Sequence, residues 1–407
     1  MSQSTELSNL IQIRAFCQVV DQGSVSAAAS ELHRTQSAVT RSINDLEHHL
    51  NAMLFERHAK GMRLTDFGRT VLSRARRAIH ELDQIPLRLQ RIRGRTIHSH
   101  YNAEPLYLFN VRRLQIFISL CETGHMPTVA TRLGMSQSAV SASMKVLEQG
   151  AGQLLMERTS SGMRVTPAGT EIQPYVRRVL NELMHIPADI AALRGEMAGC
   201  VRIGALAQGR TRLVPQAIVK LTQRYPSVKV VTNESAFATL VAELRSGEID
   251  FIFGALRSKD YAEDIVSETL LTEELAILVR QAHPLAAAEL TANSLREARW
   301  IFPPAGTPER LLLDENLAAM GFITNPIVES SDLAVVRGLL LNSDMVAAVS
   351  ARKFGHELKL GTLVQLPLRL ANTRRQIGFT FRVGSLLSPA ANALVKCLRE
   401  AHEVLES

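Results

Sequence analysis

The stretch "TQSAVTRSINDLE" (35–47) returns as "SQSAVSASMKVLE" (136–148), 101 positions further along the chain. The match runs on in both directions without a gap. Phe16 meets Phe117, Gly23 meets Gly124 and Leu32 meets Leu133. "LFERHAKGMRLTDFG" (54–68) meets "LMERTSSGMRVTPAG" (155–169), and "RRAIHELDQIP" (76–86) meets "RRVLNELMHIP" (177–187). A gapless unit of about 85 residues present twice is too long and too few for a solenoid, so each copy is expected to be a small domain.

Within each copy the apolar spacing is helical. Ile13, Phe16 and Val20 give the face of a first helix, which Gly23 stops; Ala27, Ala28 and Leu32 give a short second one. Thr35 reads as the N-cap of a third helix, whose buried stripe is Ala38, Val39, Ile43, Leu46 and Leu50. A short helix, a tight turn and a capped helix form the helix-turn-helix pattern, in which the capped helix enters the major groove of DNA. Gln36, Ser37, Thr40 and Arg41 fall on its outward face, and Gln137, Ser138, Ser141 and Lys145 do so in the second copy. Such side chains reach base edges and phosphates. Arg57, Lys60 and Arg63 surround Gly61 in what reads as a two-stranded wing, and Arg158 and Arg164 repeat the outer pair. They are expected to bind phosphate, the alternative being solvated turn residues. Val71, Leu72, Ala75, Ile79, Leu82 and Ile85 then line a helix of about 40 Å, too long to bury on a small domain, so it needs another helix to pack on.

Charge agrees with a polyanionic partner. Residues 1–100 hold 14 Lys/Arg against 9 Asp/Glu, residues 101–198 hold 9 against 8, and residues 199–407 hold 23 against 22. Most of the net +7 therefore sits in the first quarter of the chain. Four scattered cysteines without C-x-x-C spacing suggest buried thiols in a reducing compartment. The start of the chain does not read as a secretory signal, and no apolar run approaches a membrane span.

With Gly23-Ser24, Ala28-Ala29, "QSAV" (36–39), Leu46-Glu47, "LFER" (54–57) and Leu64-Thr65 in place, the chain resembles the LysR-type transcriptional regulators, and the resemblance covers both copies. It continues through residues 199–407, which look like that family's effector module. The duplication is the departure, since the family pattern has one winged helix-turn-helix per chain.

In the second half "GCVRIGAL", "VKVVTNES" and "IDFIFGAL" alternate with two helical stretches, which predicts a parallel sheet covered on both faces. "LAILVRQAHPLA", "WIFPPAG" and "MVAAVS" start a second lobe. The whole resembles the two-lobed α/β periplasmic-binding-protein fold, with crossovers near residues 270 and 378. Ligands bind beyond the carboxyl ends of such strands. Gln208, Arg210, Ser235, Arg257 and Thr307 are the polar candidates for an effector, and arginines with helix N-termini favour a small organic anion. No catalytic constellation, metal spacing, phosphate loop or cofactor motif stands out; "IGALAQG" lacks the third glycine of a dinucleotide fingerprint.

The expected domains are winged helix-turn-helix units at 8–68 and 110–169, linker helices at 69–94 and 170–198, and an inter-repeat linker at 95–109. The two-lobed module follows at 199–407, with lobe I at 199–270 and 379–407 and lobe II at 271–378. Arg41 corresponds to Ala142, Arg34 to Met135 and Lys60 to Ser161, so the first copy is expected to supply most of the affinity. Gly150 and Gly152 are expected to fray the end of the second recognition helix. The resemblance implies antiparallel pairing of long helices, here possible within one chain, with Leu180, Leu183 and Ile190 against Ile79, Leu82 and Leu89. The function expected is ligand-responsive, sequence-specific DNA binding in a bacterial cytoplasm, as a homo-oligomer with possible contact to RNA polymerase. The alternatives are a small-molecule binder or enzyme of the two-lobed fold whose helical domains only assemble it, and a non-specific architectural DNA protein.

Overall fold

A computed structural model describes residues 9–58, 61–92, 105–160, 162–258, 261–321 and 325–406. Helix α1 (Leu10–Gln22) begins where the Asn9 side chain accepts the N–H of Ile11, and ends at Gly23 with φ of 69°. The left-handed conformation there suits glycine, which has no Cβ to clash. Ser24 caps α2 (Val25–Glu31) and Thr35 caps α3 (Gln36–Leu50), each accepting a backbone N–H at 3.2 Å. Strands β1 (Phe55–His58) and β2 (Gly61–Leu64) form an antiparallel hairpin with Phe55 opposite Leu64. Helix α4 (Asp66–Ile92) follows.

A second set repeats these elements: α5 (Val111–Thr123), α6 (Met126–Arg132), α7 (Gln137–Ala151), β3 (Met156–Thr159), β4 (Gly162–Val165) and α8 (Pro167–Leu193). In both sets a glutamate ties the outward helix to the hairpin. One carboxylate oxygen of Glu47 accepts the N–H groups of Leu54 and Phe55 at 2.7 and 3.1 Å, and Glu148 does the same for Leu155 and Met156 at 2.9 and 3.0 Å. This gives the repeated Leu-Glu pair its purpose: the leucine enters the core and the glutamate fixes the hairpin.

The glycines at the end of α7 act differently from the expected fraying. Helix α7 runs through Gly150 and matches the 15 residues of α3. A Cβ on Gly150 would lie 2.1 Å from Cγ of Tyr107, so glycine is there because the Tyr107 ring lies on the helix. Gly152, with φ of 63°, is an ordinary left-handed C-cap, as Asn51 is for α3.

Helices α4 and α8 pack antiparallel within the chain. Arg77 pairs with Glu182 and Arg178 with Glu81, both at 2.7 Å. Arg88 approaches Glu171 at 3.7 Å. Val71, Ala75, Ala78, Leu82, Ile85 and Leu89 of α4 are buried with Ile172, Val176, Val179, Leu183, Ile186 and Ile190 of α8 in one apolar core shared with α1–α3 and α5–α7. The register set by these ion pairs places Ile79 opposite Leu180, whereas Ile190 lies towards the start of α4 rather than at Leu89. Of the linker at 95–109, residues 95–104 lie outside the described residues; Leu108 and Phe109 are buried.

The second half contains two five-stranded sheets. In the first, β5 (Gly199–Ala205), β6 (Val228–Asn233) and β7 (Phe251–Ala255) run parallel. Strand β8 (Ile265–Glu273) lies at its edge. The second sheet is formed by β9 (Leu275–Arg280), β10 (Arg299–Phe302), β11 (Val328–Glu329), β12 (Met345–Ser350) and β13 (Leu363–Arg369), in the order β11-β10-β12-β9-β13. Strand β14 (Arg375–Arg382) then returns to the first sheet, antiparallel between β7 and β8, which completes the order β6-β5-β7-β14-β8. The chain leaves the first sheet after Glu273 and re-enters it at Arg375, because Leu271 still pairs with Ile377. Each sheet has its own apolar core.

Candidate nucleic-acid interface and effector cavity

The cap geometry turns one polar face of α3 outward. Gln36, Ser37 and Arg41 are exposed and Thr40 is half-buried; with Asn44 and Asp45 they line one open concavity on the protein surface. The Thr40 hydroxyl donates to the Gln36 carbonyl at 2.9 Å, and the Ser37 hydroxyl pairs with that of Thr35 at 3.1 Å. Arg41 has no carboxylate partner among the described residues. Asn44 and Asp45 were missed in the sequence, although their spacing from Thr40 and Arg41 places them one turn along the same face.

Gln137, Ser138, Ser141 and Lys145 are likewise exposed on α7, with the Ser138 hydroxyl 2.9 Å from that of Ser136. On the hairpins Arg63 is exposed 3.9 Å from Glu56, Arg158 is exposed, and Arg164 donates to Glu157 at 2.7 Å. Exposed pairs of this kind are weak and yield readily to a phosphate. Arg57 lies on β1; its side chain, like Lys60, lies outside the described residues.

Among the effector candidates, contacts on either side of Ser235 link Arg210 and Arg257 to the same loop. Arg210 pairs with Glu234, and Ser235 is exposed beside that pair. Arg257 stacks over Phe237, 4.2 Å from the ring centroid, and donates to the Ala255 carbonyl at 3.2 Å. Burial holds its guanidinium below the ordinary arginine range, with nearby Arg375 adding to the effect. Thr307 caps the helix Pro308–Ala319, accepting from Arg310 and donating to the Pro304 carbonyl. The side chain of Gln208 lies outside the described residues.

A cavity of about 320 Å³ lies between the two lobes, with Thr211 and Arg212, next to Arg210, on one side and the stretch after β12 on the other. Arg337, Arg352, Lys353 and Lys359 give it a cationic lining around Glu357, with His356 beside them. Its sequence signal is the run "ARKFGHELK" just past the carboxyl end of a strand, where ligands bind in such folds. Lys353 is buried and sits 3.1 Å from Glu309, which sits 2.9 Å from Arg375; Arg375 in turn donates to Glu273 at 2.7 Å. Lys353 and Arg375 hold the Glu309 carboxyl below the usual carboxylate range against its burial. A chain of buried charges thus runs from the cavity to Glu273 and Arg375, where the chain crosses between lobes.

Outward helices open to a duplex, carried by a two-lobed module with a charged cavity between its lobes, mark a DNA-binding regulator with a sensing domain. The model of the LysR substrate binding domain matches residues 194–403, and that of the bacterial regulatory helix-turn-helix protein, lysR family, matches residues 10–69 and again 111–170. The chain is 51% identical to the HTH-type transcriptional regulator GalR of Pseudomonas putida over 97% of its own length and 98% of that protein's. It is 27% identical to the HTH-type transcriptional regulator PcaQ of Agrobacterium fabrum over 71% of its own length and 94% of that protein's. A full-length OxyR variant from Pseudomonas aeruginosa shares the fold, with a TM-score of 0.57 at 23% identity, covering 73% of this chain and 95% of that one. CbnR in complex with its target DNA superposes with a TM-score of 0.52 at 20% identity, covering 72% of this chain and 100% of that one. The chain belongs to the LysR family of transcriptional regulators. These relatives are named as transcriptional regulators, not enzymes. Among the described residues no helix is long and apolar enough to cross a membrane.

Proposed function

We propose that the chain carries two winged helix-turn-helix domains in tandem, that both read DNA, and that a small organic anion between the effector lobes sets their placement. The observation that carries this reading is that α3 and α7 have the same length, the same hydroxyl cap and the same glutamate clamp to their hairpins. The PcaQ relative is nearly covered by 71% of this chain, which leaves a surplus about the size of one such domain. Gln36, Ser37, Thr40 and Arg41 contact bases from α3, and Gln137, Ser138, Ser141 and Lys145 from α7. Arg57, Lys60, Arg63, Arg158 and Arg164 hold phosphates. The richer charge of the first domain supplies most of the affinity, and tethering raises the effective concentration of the second.

The anion is held by the cationic lining that includes Arg212 and Lys353, with Gln208, Arg210, Ser235, Arg257 and Thr307 as further polar groups of the lobes. By drawing on Lys353 it competes with Glu309 and so acts on the crossover residues Arg375 and Glu273. A ligand shifts such an equilibrium only through its differential contacts with the two lobe arrangements. The cytoplasm is the compartment this function requires.

The test is a footprint on the DNA upstream of the chain's own gene at fixed salt. Wild type is compared with Gln36→Ala/Arg41→Ala and with Gln137→Ala/Ser141→Ala. Loss of a different protected segment in each variant supports two reading domains. A second variant indistinguishable from wild type would reduce the second domain to scaffold.

A further inference from the structure

The pairing of α4 with α8 obeys an approximate two-fold relation in which residues 101 positions apart exchange roles. Arg77–Glu182 and Arg178–Glu81 are one such set, since 178 and 182 are the counterparts of 77 and 81; both pairs close at 2.7 Å. Within each copy the anchoring of the long helix repeats too: Arg76 pairs with Asp21 of α1 and Arg177 with Glu122 of α5, at 2.5 and 3.0 Å. The ends of the long helices cross over as well. Gln153, just past α7, donates to the Leu89 carbonyl near the end of α4. Arg194, at the end of α8, donates to the carbonyl of Asn51, just past α3.

The symmetry breaks at one buried position. Arg74 lies 2.7 Å from Asp189, and the counterpart of this pair is Tyr175 with Arg88 stacked 5.3 Å from its ring centroid. Were α4 to pair with a second copy of α4 in the same register, Arg88 would stand where Asp189 stands, and the buried Arg74 would face an arginine. Were α8 to pair with α8, Tyr175 would face Asp189. In an α4–α4 pair Glu81 would still stand where Glu182 does, but only the unlike pair gives the buried Arg74 its second carboxylate, Asp189, in place of another arginine, so the chain's own pairing partners α3 with α7.

The reading faces of those two helices differ. Gln36 and Ser37 recur as Gln137 and Ser138, but Arg41, Asn44 and Asp45 correspond to Ala142, Lys145 and Val146, and all six of these differing residues are exposed. An arginine or asparagine at such positions hydrogen-bonds guanine or adenine edges, whereas alanine and valine offer only apolar contact, as to a thymine methyl.

We propose that each pair of adjacent half-sites bound by this protein is unlike: one half-site is read by α3, the other by α7, and the two agree only where the shared Gln-Ser turn reaches. This rests on the reading above that both helices contact DNA.

The experiment is selection from a random duplex library by the full chain at fixed salt, followed by titration of the selected site. The expected consensus has two adjacent half-sites of different sequence. Replacing either by an inverted copy of the other should weaken binding roughly tenfold or more, the usual effect of mismatched base pairs. A variant carrying Ala142→Arg, Lys145→Asn and Val146→Asp gives α7 the face of α3, and should select a palindrome of the first half-site. A palindrome selected by wild type would overturn the proposal while leaving two reading helices intact. Selection of a lone half-site would overturn the two-domain reading, and this proposal with it. These positions are on the surface, and an unchanged melting curve for the variant shows that it folds.

Discussion

Nε of Arg74 lies 2.7 Å from a carboxylate oxygen of Asp189, in a seam where the arginine is 1% exposed. The same guanidinium donates to Glu182 at 2.9 Å and to the carbonyls of Leu386 and Leu387 at 2.6 and 3.1 Å. One side chain thereby joins the first long helix, the second long helix and the effector module. Burial works against its charge, but Asp189 and Glu182 together hold it above the ordinary arginine range.

Truncating one partner of a buried ion pair leaves the other charge uncompensated. Arg74→Ala should therefore destabilise the protein by about 3–5 kcal/mol. Chemical denaturation checks this, and a variant within about 1 kcal/mol of wild type would show that the node contributes little.

Gly150→Ala should destabilise, although alanine ordinarily favours a helix interior over glycine by about 1 kcal/mol. Its Cβ would meet the Tyr107 ring at 2.1 Å. Pairing it with Tyr107→Ala should recover part of the loss, and a double-mutant cycle measures the coupling. Additive effects would mean that the ring and the helix do not constrain each other.

Glu47→Gln should loosen the first hairpin. One charge-assisted acceptor of two backbone N–H groups is replaced by a neutral one, a loss on the order of 1–2 kcal/mol. Hydrogen exchange at the Leu54 and Phe55 amides should speed up while the second hairpin is unaffected. Glu148→Gln should produce the reverse pattern, and exchange that rises equally in both hairpins would argue against a local clamp.

Asp250→Asn should make stability more sensitive to acid. Burial pushes the Asp250 carboxyl up to about 6, and burial, with help from Arg74 and Arg202, pushes the neighbouring His185 down to about 3. His185 stays neutral in the fold, so its contribution is complete above its ordinary value of 6.5 and is lost as the pH falls towards 3. Asp250 acts in the opposite sense: its contribution is complete below the ordinary 3.8 and is lost as the pH rises through about 6. The two slopes oppose each other between those carboxyl values. With Asp250 removed, that of His185 stands alone, steepening the loss on acidification by up to roughly 1.4 kcal/mol per pH unit. Urea midpoints at pH 4.5, 6 and 7.5 follow it, and parallel curves for parent and variant would refute it.

The helical stripes, the hydroxyl caps and the hairpins were legible in the sequence because each is set by local spacing. Val39, Ile43, Leu46 and Leu50 are buried as their period requires. The roles of Arg74 and Gly150 were not legible. A long charged residue reads as solvent-facing until the partner helix supplies Glu182 and Asp189, and a helical glycine reads as a breaker until Tyr107 is seen on top of it. The interlobe cavity escaped for a similar reason: Arg212 and Arg337 are brought together only by the way the two sheets are joined. Of the five expected effector residues, Arg210 and Thr307 have their polar groups committed to Glu234 and to a helix cap.

The antiparallel seam between α4 and α8 closes on a segment of the same polypeptide, so its formation is first order in protein. A seam between separate chains comes apart on dilution by mass action, whereas this one has an equilibrium constant with no units of concentration. The two long helices should then stay paired however few molecules the cell holds, with no threshold concentration for closing the seam.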